Sequence, residues 1–118
     1  MIRKGDLKFG DIVWVDFDPS VGHEYQSKRP AIVIQSKIQL GISNLVTIIP
    51  LTSNLNNFMK GDILIKADAF NNLRSDSVAK VYCIVSFDYS RFYKIIGVVS
   101  VDVILKIKDY LKVHFDLN

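Results

Sequence analysis

Only one cysteine, Cys83, stands in this chain of 118 residues. An internal disulfide framework and a zinc site built on several thiolates are thereby excluded, and a reducing cytoplasm is the natural compartment. No apolar run approaches the ~20 residues that a membrane-spanning helix requires. The opening residues, MIRKGDLKFGD, hold no long apolar stretch, so no secretory leader is expected. Internal repeats and low-complexity linkers are also missing. What is present is ordinary for a folded protein. Hydrophobic residues make up 49% and charged residues 23%, which argues against disorder. The length fits one domain, 1–118, burying roughly two-thirds of its unfolded surface. A net charge of +3 suits a plain soluble domain and a binder of polyanions alike, so the positions of the charges must decide.

The pattern along the chain is mainly that of short strands. Asp11 to Phe17 alternates, with Ile12, Trp14 and Asp16 on one face and Val13, Val15 and Phe17 on the other. Asp18-Pro19-Ser20 breaks it, and a polar stretch runs on to Lys28. Pro30 to Gln35, Leu45 to Leu51 and Asp62 to Lys66 read as three further strands. Pro50 has no N–H to donate, which places it at a strand end or a bulge. Ala69 to Asp76 has turn composition. Ser77 to Phe87 reads as one longer strand and Ile95 to Ser100 as a last short one, in which Gly97 marks a bulge or a close backbone approach. The period then changes: Ile104, Ile107, Leu111 and Phe115 recur at helical spacing, with Ser100 as N-cap and Asp102 near the positive end of the helix dipole. Five or six strands followed by one helix suggest a small barrel or sandwich, and a barrel would remove exposed edges.

The informative stretch is Gly10 to Ser53. A strand ends in Asp18-Pro19, a polar loop carries Gly22-His23-Glu24, and Lys28-Arg29-Pro30-Ala31 opens the second strand. The third strand ends in Pro50-Leu51-Thr52-Ser53, and Leu73-Arg74-Ser75-Asp76-Ser77 precedes the long strand. In order and spacing these motifs resemble the MazF/PemK family over about residues 8–115. The resemblance implies a Src-homology-3-like small β-barrel of five to seven strands with a C-terminal helix. It implies a homodimer, a cognate antitoxin with a disordered acidic tail, and sequence-specific cleavage of single-stranded messenger RNA without a metal or other cofactor. It also assigns catalysis to Arg29 and Thr52, and Glu24 matches a position common in the family.

The residue types suit that chemistry. In metal-free RNA cleavage the ribose 2′-OH attacks its own phosphate, leaving a 2′,3′-cyclic phosphate (or its opened 3′-phosphate) and a 5′-OH. The reaction needs a proton taken, a proton given and charge stabilised on the phosphorane-like transition state. A guanidinium is a planar, bidentate partner for phosphate oxygens, and a threonine hydroxyl supplies one more donor. Because an arginine resists deprotonation, Arg29 suits electrostatic stabilisation better than proton abstraction. Glu24 or His23, a few residues upstream, is then the candidate proton carrier. His23, Lys28, Ser53 and Tyr82 are candidate substrate contacts.

Each of these residues also has a plainer reading. Taken singly, Arg29 is a surface arginine paired with Glu24, and only the surrounding motifs favour catalysis. Thr52 is equally a turn residue capping a loop. His23 is a solvated loop histidine before it is a ligand, and Lys28 is a solvated charge or a phosphate contact. Trp14 and Phe17 read as core or interface packing rather than stacking platforms. Cys83 reads as a buried small apolar residue, and His114 as structural or solvent-facing. The resemblance is imperfect on the long strand. Where many relatives carry a Glu-Gln pair followed by Arg, this chain has Tyr82-Cys83 and Val85. Tyr82 can stack a base there or simply pack. Two other functions therefore stand beside the nuclease: an inactive barrel that binds antitoxin or nucleic acid, and a gyrase poison like that of a related toxin family, whose determinants would lie in the last residues.

Overall fold

A computed structural model describes residues 2–18 and 27–118. Seven strands occur in the order β1 (Asp11–Asp16), β2 (Lys28–Val33), β3 (Leu45–Thr52), β4 (Ile63–Ile65), β5 (Ser77–Ala79), β6 (Val85–Asp88) and β7 (Phe92–Val98). A short helix α1 (Lys37–Ile42) joins β2 to β3, and a longer helix α2 (Val101–His114) follows β7. All pairings are antiparallel, in the order β4-β5-β3-β2-β1-β7, with β6 also bonded to β3. The fold is the mainly β one expected, with seven strands and a C-terminal helix.

The strands read as nearly continuous apolar runs because both faces of the sheet are covered. Val13, Val15, Ala31, Val33, Val46 and Ile48 face one core with Phe17, Leu40 and Phe92. Alternate residues Ile12, Ile32, Ile49 and Leu51 face a second core with Ile63, Ile65, Ala79 and Ile107. The alternation expected for Asp11 to Phe17 therefore holds, with Val13, Val15 and Phe17 meeting the first core and Ile12 the second. The sheet curls until β6 and β7 share the first core, although no ladder joins those two strands among the described residues. Phe17 meets Phe87 there edge-on, with ring centroids 5.2 Å apart.

The second core lies under α2. Ser100 caps this helix, its hydroxyl accepting from the Val103 N–H at 3.3 Å. Ile107 is fully buried, with Val103, Ile104, Tyr110 and Leu111 packed around it. Phe115, expected to continue the apolar stripe, instead lies just past the helix and is 54% exposed. Gly10, at φ +95°, lets the helix settle, since a Cβ there would lie 2.8 Å from Ile104 Cδ1.

Three expectations are corrected. The connection from Ser36 to Asn44 holds α1, which shows no helical period in sequence because it is one and a half turns long and buries only Leu40. The last strand starts at Phe92 and ends at Val98, so Ser100 serves the helix and not the sheet. The long strand from Ser77 to Phe87 is two strands, β5 and β6, which pair with β3 in succession: Leu51↔Ala79 and Thr52↔Val78 for β5, Leu45↔Asp88 to Ile48↔Val85 for β6. Between them the chain turns, with the Cys83 N–H donating to the Lys80 carbonyl at 2.9 Å.

Pro50 explains where that break falls. It lies inside β3, not at its end, but its carbonyl accepts from the Lys80 N–H at 3.1 Å. In a strand the N–H and C=O of one residue point the same way, so the donor Pro50 lacks would have faced the gap between β5 and β6. The missing bond thus coincides with the change of partner strand.

Candidate active site

A groove of about 500 Å³ opens on the sheet beside the end of β3. It begins where the ladder between β2 and β3 stops, at the pair Ala31↔Pro50. The cause lies in Pro30. Ile34 donates to the Thr47 carbonyl at 3.0 Å, so the even-numbered residues of β2 are those whose backbone groups face β3. Pro30 is the next such position toward the loop, and it has no N–H to give. The two strands lose their bond beyond that point. Arg29 and Pro30 on one side, with Leu51, Thr52 and Ser53 on the other, line the opening.

The far wall comes from the segment between β4 and β5. Asn72, Leu73, Arg74, Ser75 and Ser77 line it. A dense set of hydrogen bonds holds this segment in place. The buried Asn71 side chain accepts from the N–H groups of Asp68 and Leu73, each at 3.0 Å, and donates to the Lys66 carbonyl at 2.8 Å. Asp68 accepts in turn from Phe70 and Asn71. Asn72 sits at φ +55° and donates from its side chain to the Ile96 carbonyl at 2.8 Å. Gly97 makes the docking possible, because a Cβ there would collide with the carbonyl oxygens of Phe70 and Asn71. A register irregularity falls next to Gly97, between Ile12 and Val13, and another lies further along β7, between Trp14 and Val15. Both readings of Gly97 are therefore met, a bulge beside it and a close backbone approach upon it.

Trp14, Lys94 and Ile96 form the floor. Trp14 faces Lys94 across the β1–β7 pair. Of the two places expected for Trp14, core or interface, the core is excluded, since Trp14 is half-buried and lines the groove; Phe17, 4% exposed, is core as expected. Arg29, Arg74 and Lys94 thus line one cavity together with amides from Asn54 and Asn72, and no carboxylate lines it among the described residues. The Arg29 guanidinium carbon lies 6.0 Å from the centroid of the Phe17 ring.

Thr52 has both features weighed for it. Its hydroxyl oxygen accepts from the Asn54 N–H at 3.2 Å, which is a turn-capping bond. That bond uses a lone pair and leaves the hydroxyl proton available to donate into the groove. Of the other candidates, Ser53 lines the groove beside Thr52. Lys28 precedes Arg29 but lies outside the lining, its ammonium 4.6 Å from the centre of the Tyr93 ring. Tyr82 also lies outside it, with its hydroxyl 3.5 Å from the Met59 sulfur. Glu24 and His23 fall outside the described residues. His114 is exposed and stacks on Tyr110, with centroids 5.8 Å apart. Cys83 is half-buried, and burial pushes its thiol above the usual range despite Lys80 nearby, so it does not offer a thiolate near neutral pH.

Sequence reasoning missed Trp14, Asn72, Arg74 and Lys94 as groove residues. Arg74 carried a signal, since it sits in the motif running from Leu73 to Ser77. Lys94 carried none, because only the pairing of β7 with β1 brings it opposite Trp14.

Among known proteins, the model of the PemK-like, MazF-like toxin of type II toxin-antitoxin system matches residues 8–115. The chain is 31% identical over 117 residues to the endoribonuclease MazF9 of Mycobacterium tuberculosis, covering 94% of this chain and 98% of that one. The crystal structure of MazF from Deinococcus radiodurans shares the fold with a TM-score of 0.80 at 24% identity, covering 94% of this chain and 97% of that one. A MazE–MazF structure from the same organism gives a TM-score of 0.73 at 23% identity, over 95% and 97% of the two chains.

Proposed function

This chain belongs to the PemK-like, MazF-like toxins of type II toxin-antitoxin systems, and on that premise we propose that it is an endoribonuclease whose groove holds single-stranded RNA for metal-independent cleavage. The observation that carries the reading is that Arg29 and Thr52 line one cavity with Arg74 and Lys94, while no carboxylate stands among its described lining residues. A polyanion is the ligand such a surface attracts.

The positions of Arg29 and Thr52 suit the following chemistry. The scissile phosphate lies between Arg29 and Thr52. The 2′-OH of the preceding ribose attacks phosphorus, the 5′-oxygen of the next nucleotide leaves, and the products are a 2′,3′-cyclic phosphate and a 5′-OH. Arg29 stabilises the dianionic character that develops on the phosphorane oxygens, where a delocalised guanidinium presents paired donors. Thr52 donates its hydroxyl proton to one of those oxygens. Of Glu24 and His23, which precede Arg29 in the sequence, one takes the 2′-OH proton and the other, protonated, gives a proton to the departing 5′-oxygen, which leaves as the 5′-OH. Arg74 and Lys94 neutralise flanking phosphates, which positions the strand without reading its sequence. Trp14, half-exposed on the floor, offers a face on which a base stacks. Sequence preference then falls to the amides of Asn54 and Asn72, which can meet base edges of an unpaired strand.

The same cationic groove suits a disordered acidic antitoxin tail, which would compete with RNA for it. A homodimer acting in the cytoplasm completes the proposal. The binding-only alternative drew on Tyr82-Cys83 and Val85, and none of these lines the groove. The test is digestion of an unstructured RNA in EDTA, with the new ends mapped and their chemistry read. Fragments with 5′-OH ends are expected, and Arg29→Ala is expected to abolish them. Undiminished cutting by that variant removes Arg29 from the mechanism. Gyrase-dependent DNA breaks with intact RNA would establish the poison instead.

A further inference from the structure

Outside the groove, a buried cation holds the loop on which the groove's hydroxyl depends. Lys80 follows β5 directly and is 5% exposed. Its ammonium donates to the carboxylate of Asp62, itself 8% exposed, and to the backbone carbonyl of Asn57 at 2.9 Å. Asp62 fastens the same loop from its other end. Its carboxylate accepts from the Met59 N–H at 2.8 Å, and its own N–H donates to the Met59 carbonyl at 3.0 Å. Two side-chain-capped turns connect this anchor to the groove. The Asn56 N–H donates to the Asn54 side chain at 3.0 Å, and the Asn54 N–H donates to the Thr52 hydroxyl at 3.2 Å. The Lys80 N–H meanwhile bonds the Pro50 carbonyl, so one residue grips β3 by its backbone and the loop leaving β3 by its side chain.

We infer that Lys80, paired with Asp62, is a positioning residue for catalysis: it sets the path of residues 54–57 and through Asn54 the rotamer and hydrogen-bond state of Thr52. A hydroxyl free to rotate can donate in several directions. One that accepts from Asn54 has a lone pair engaged, which narrows the directions open to its proton. The loop is otherwise poorly held, since Leu55, Phe58 and Met59 are all substantially exposed. A buried ion pair is a weak source of net stability, because desolvation offsets the attraction. What this pair supplies is a fixed point deep in the protein to which the exposed loop is tied. The kinetic part of the inference rests on the nuclease reading; the structural part does not.

The test removes both charges together, as Lys80→Met with Asp62→Leu, so that neither ion is left buried alone. Thermal unfolding establishes that this double variant is folded. Amide exchange at Asn54 and Asn56, measured without RNA, is expected to accelerate at least about ten-fold, since both donors lose a fixed acceptor geometry. In RNA cleavage, kcat is expected to fall roughly ten- to a hundred-fold with KM within about two-fold, as for a misplaced catalytic group. A glycine inserted between Leu55 and Asn56 leaves the ion pair intact and slackens only the tether; it is expected to give the same split between kcat and KM. Unchanged exchange at Asn54 in the folded double variant overturns the inference, as does unchanged kcat in the glycine insertion when the parent protein cuts RNA. If the parent protein does not cut RNA, the nuclease reading fails and the exchange measurement alone decides the role of Lys80.

Discussion

The cations of the groove and the buried cation that follows β5 have opposite surroundings. Lys80 is buried and bonded to Asp62 and to Asn57. Arg74 and Lys94 face a groove whose described lining includes no carboxylate, and no salt bridge joins either to a described residue. The same kind of charge serves two ends. With its counter-ion in place, Lys80 is committed to the fold. On the proposed reading, Arg74 and Lys94 keep their field for a ligand from solution, and the amides and the indole beside them suit one that carries bases as well as phosphates.

The comparison can be broken most sharply at Lys80. Lys80→Met alone leaves the Asp62 carboxylate buried without its partner and is expected to destabilise the protein by about 3–5 kcal/mol in chemical denaturation. A loss below about 1 kcal/mol, the range of exposed pairs, would show that the cation is not committed to the fold. Next comes Arg29→Lys. If a planar fork is required, a point charge at that site leaves kcat down by about 10²-fold or more while binding of a non-cleavable 2′-deoxy RNA changes little. Recovery of full activity would reduce Arg29 to its charge. Trp14→Ala is expected to weaken RNA binding by about 1–3 kcal/mol, read as Kd, with the fold intact. The smallest effect concerns Arg74→Ala and Lys94→Ala. Each is expected to lower the steepness of log K against log salt by about 0.7, the contribution of one phosphate contact on a single strand. Unchanged slopes in both would remove them from the groove's work.

Much of this arrangement was legible from local pattern. The alternation of Ile12 with Val13 and Val15, the cap at Ser100 and the helical spacing of Ile104, Ile107 and Leu111 are short-range signals, and the structure places those side chains accordingly. That Arg29 and Thr52 would share one groove was suggested by the motifs around them, and both line it. The division of residues 77–87 into two strands was not. It depends on a missing donor at Pro50, thirty residues earlier, and on Lys80 turning inward to meet Asp62. The groove position of Trp14 was not legible for a related reason. An aromatic residue in an alternating strand reads as core or interface packing, and only its pairing with Pro30 and Lys94 puts it on the groove.

The amino-acid order alone determined what each segment could become: which stretches favour strands, where the last helix begins, and which side chains can handle a phosphate. Tertiary structure alone decided which of them share a cavity. Cross-strand register brings together residues far apart in the chain, such as Trp14 with Lys94, and no local preference carries that information.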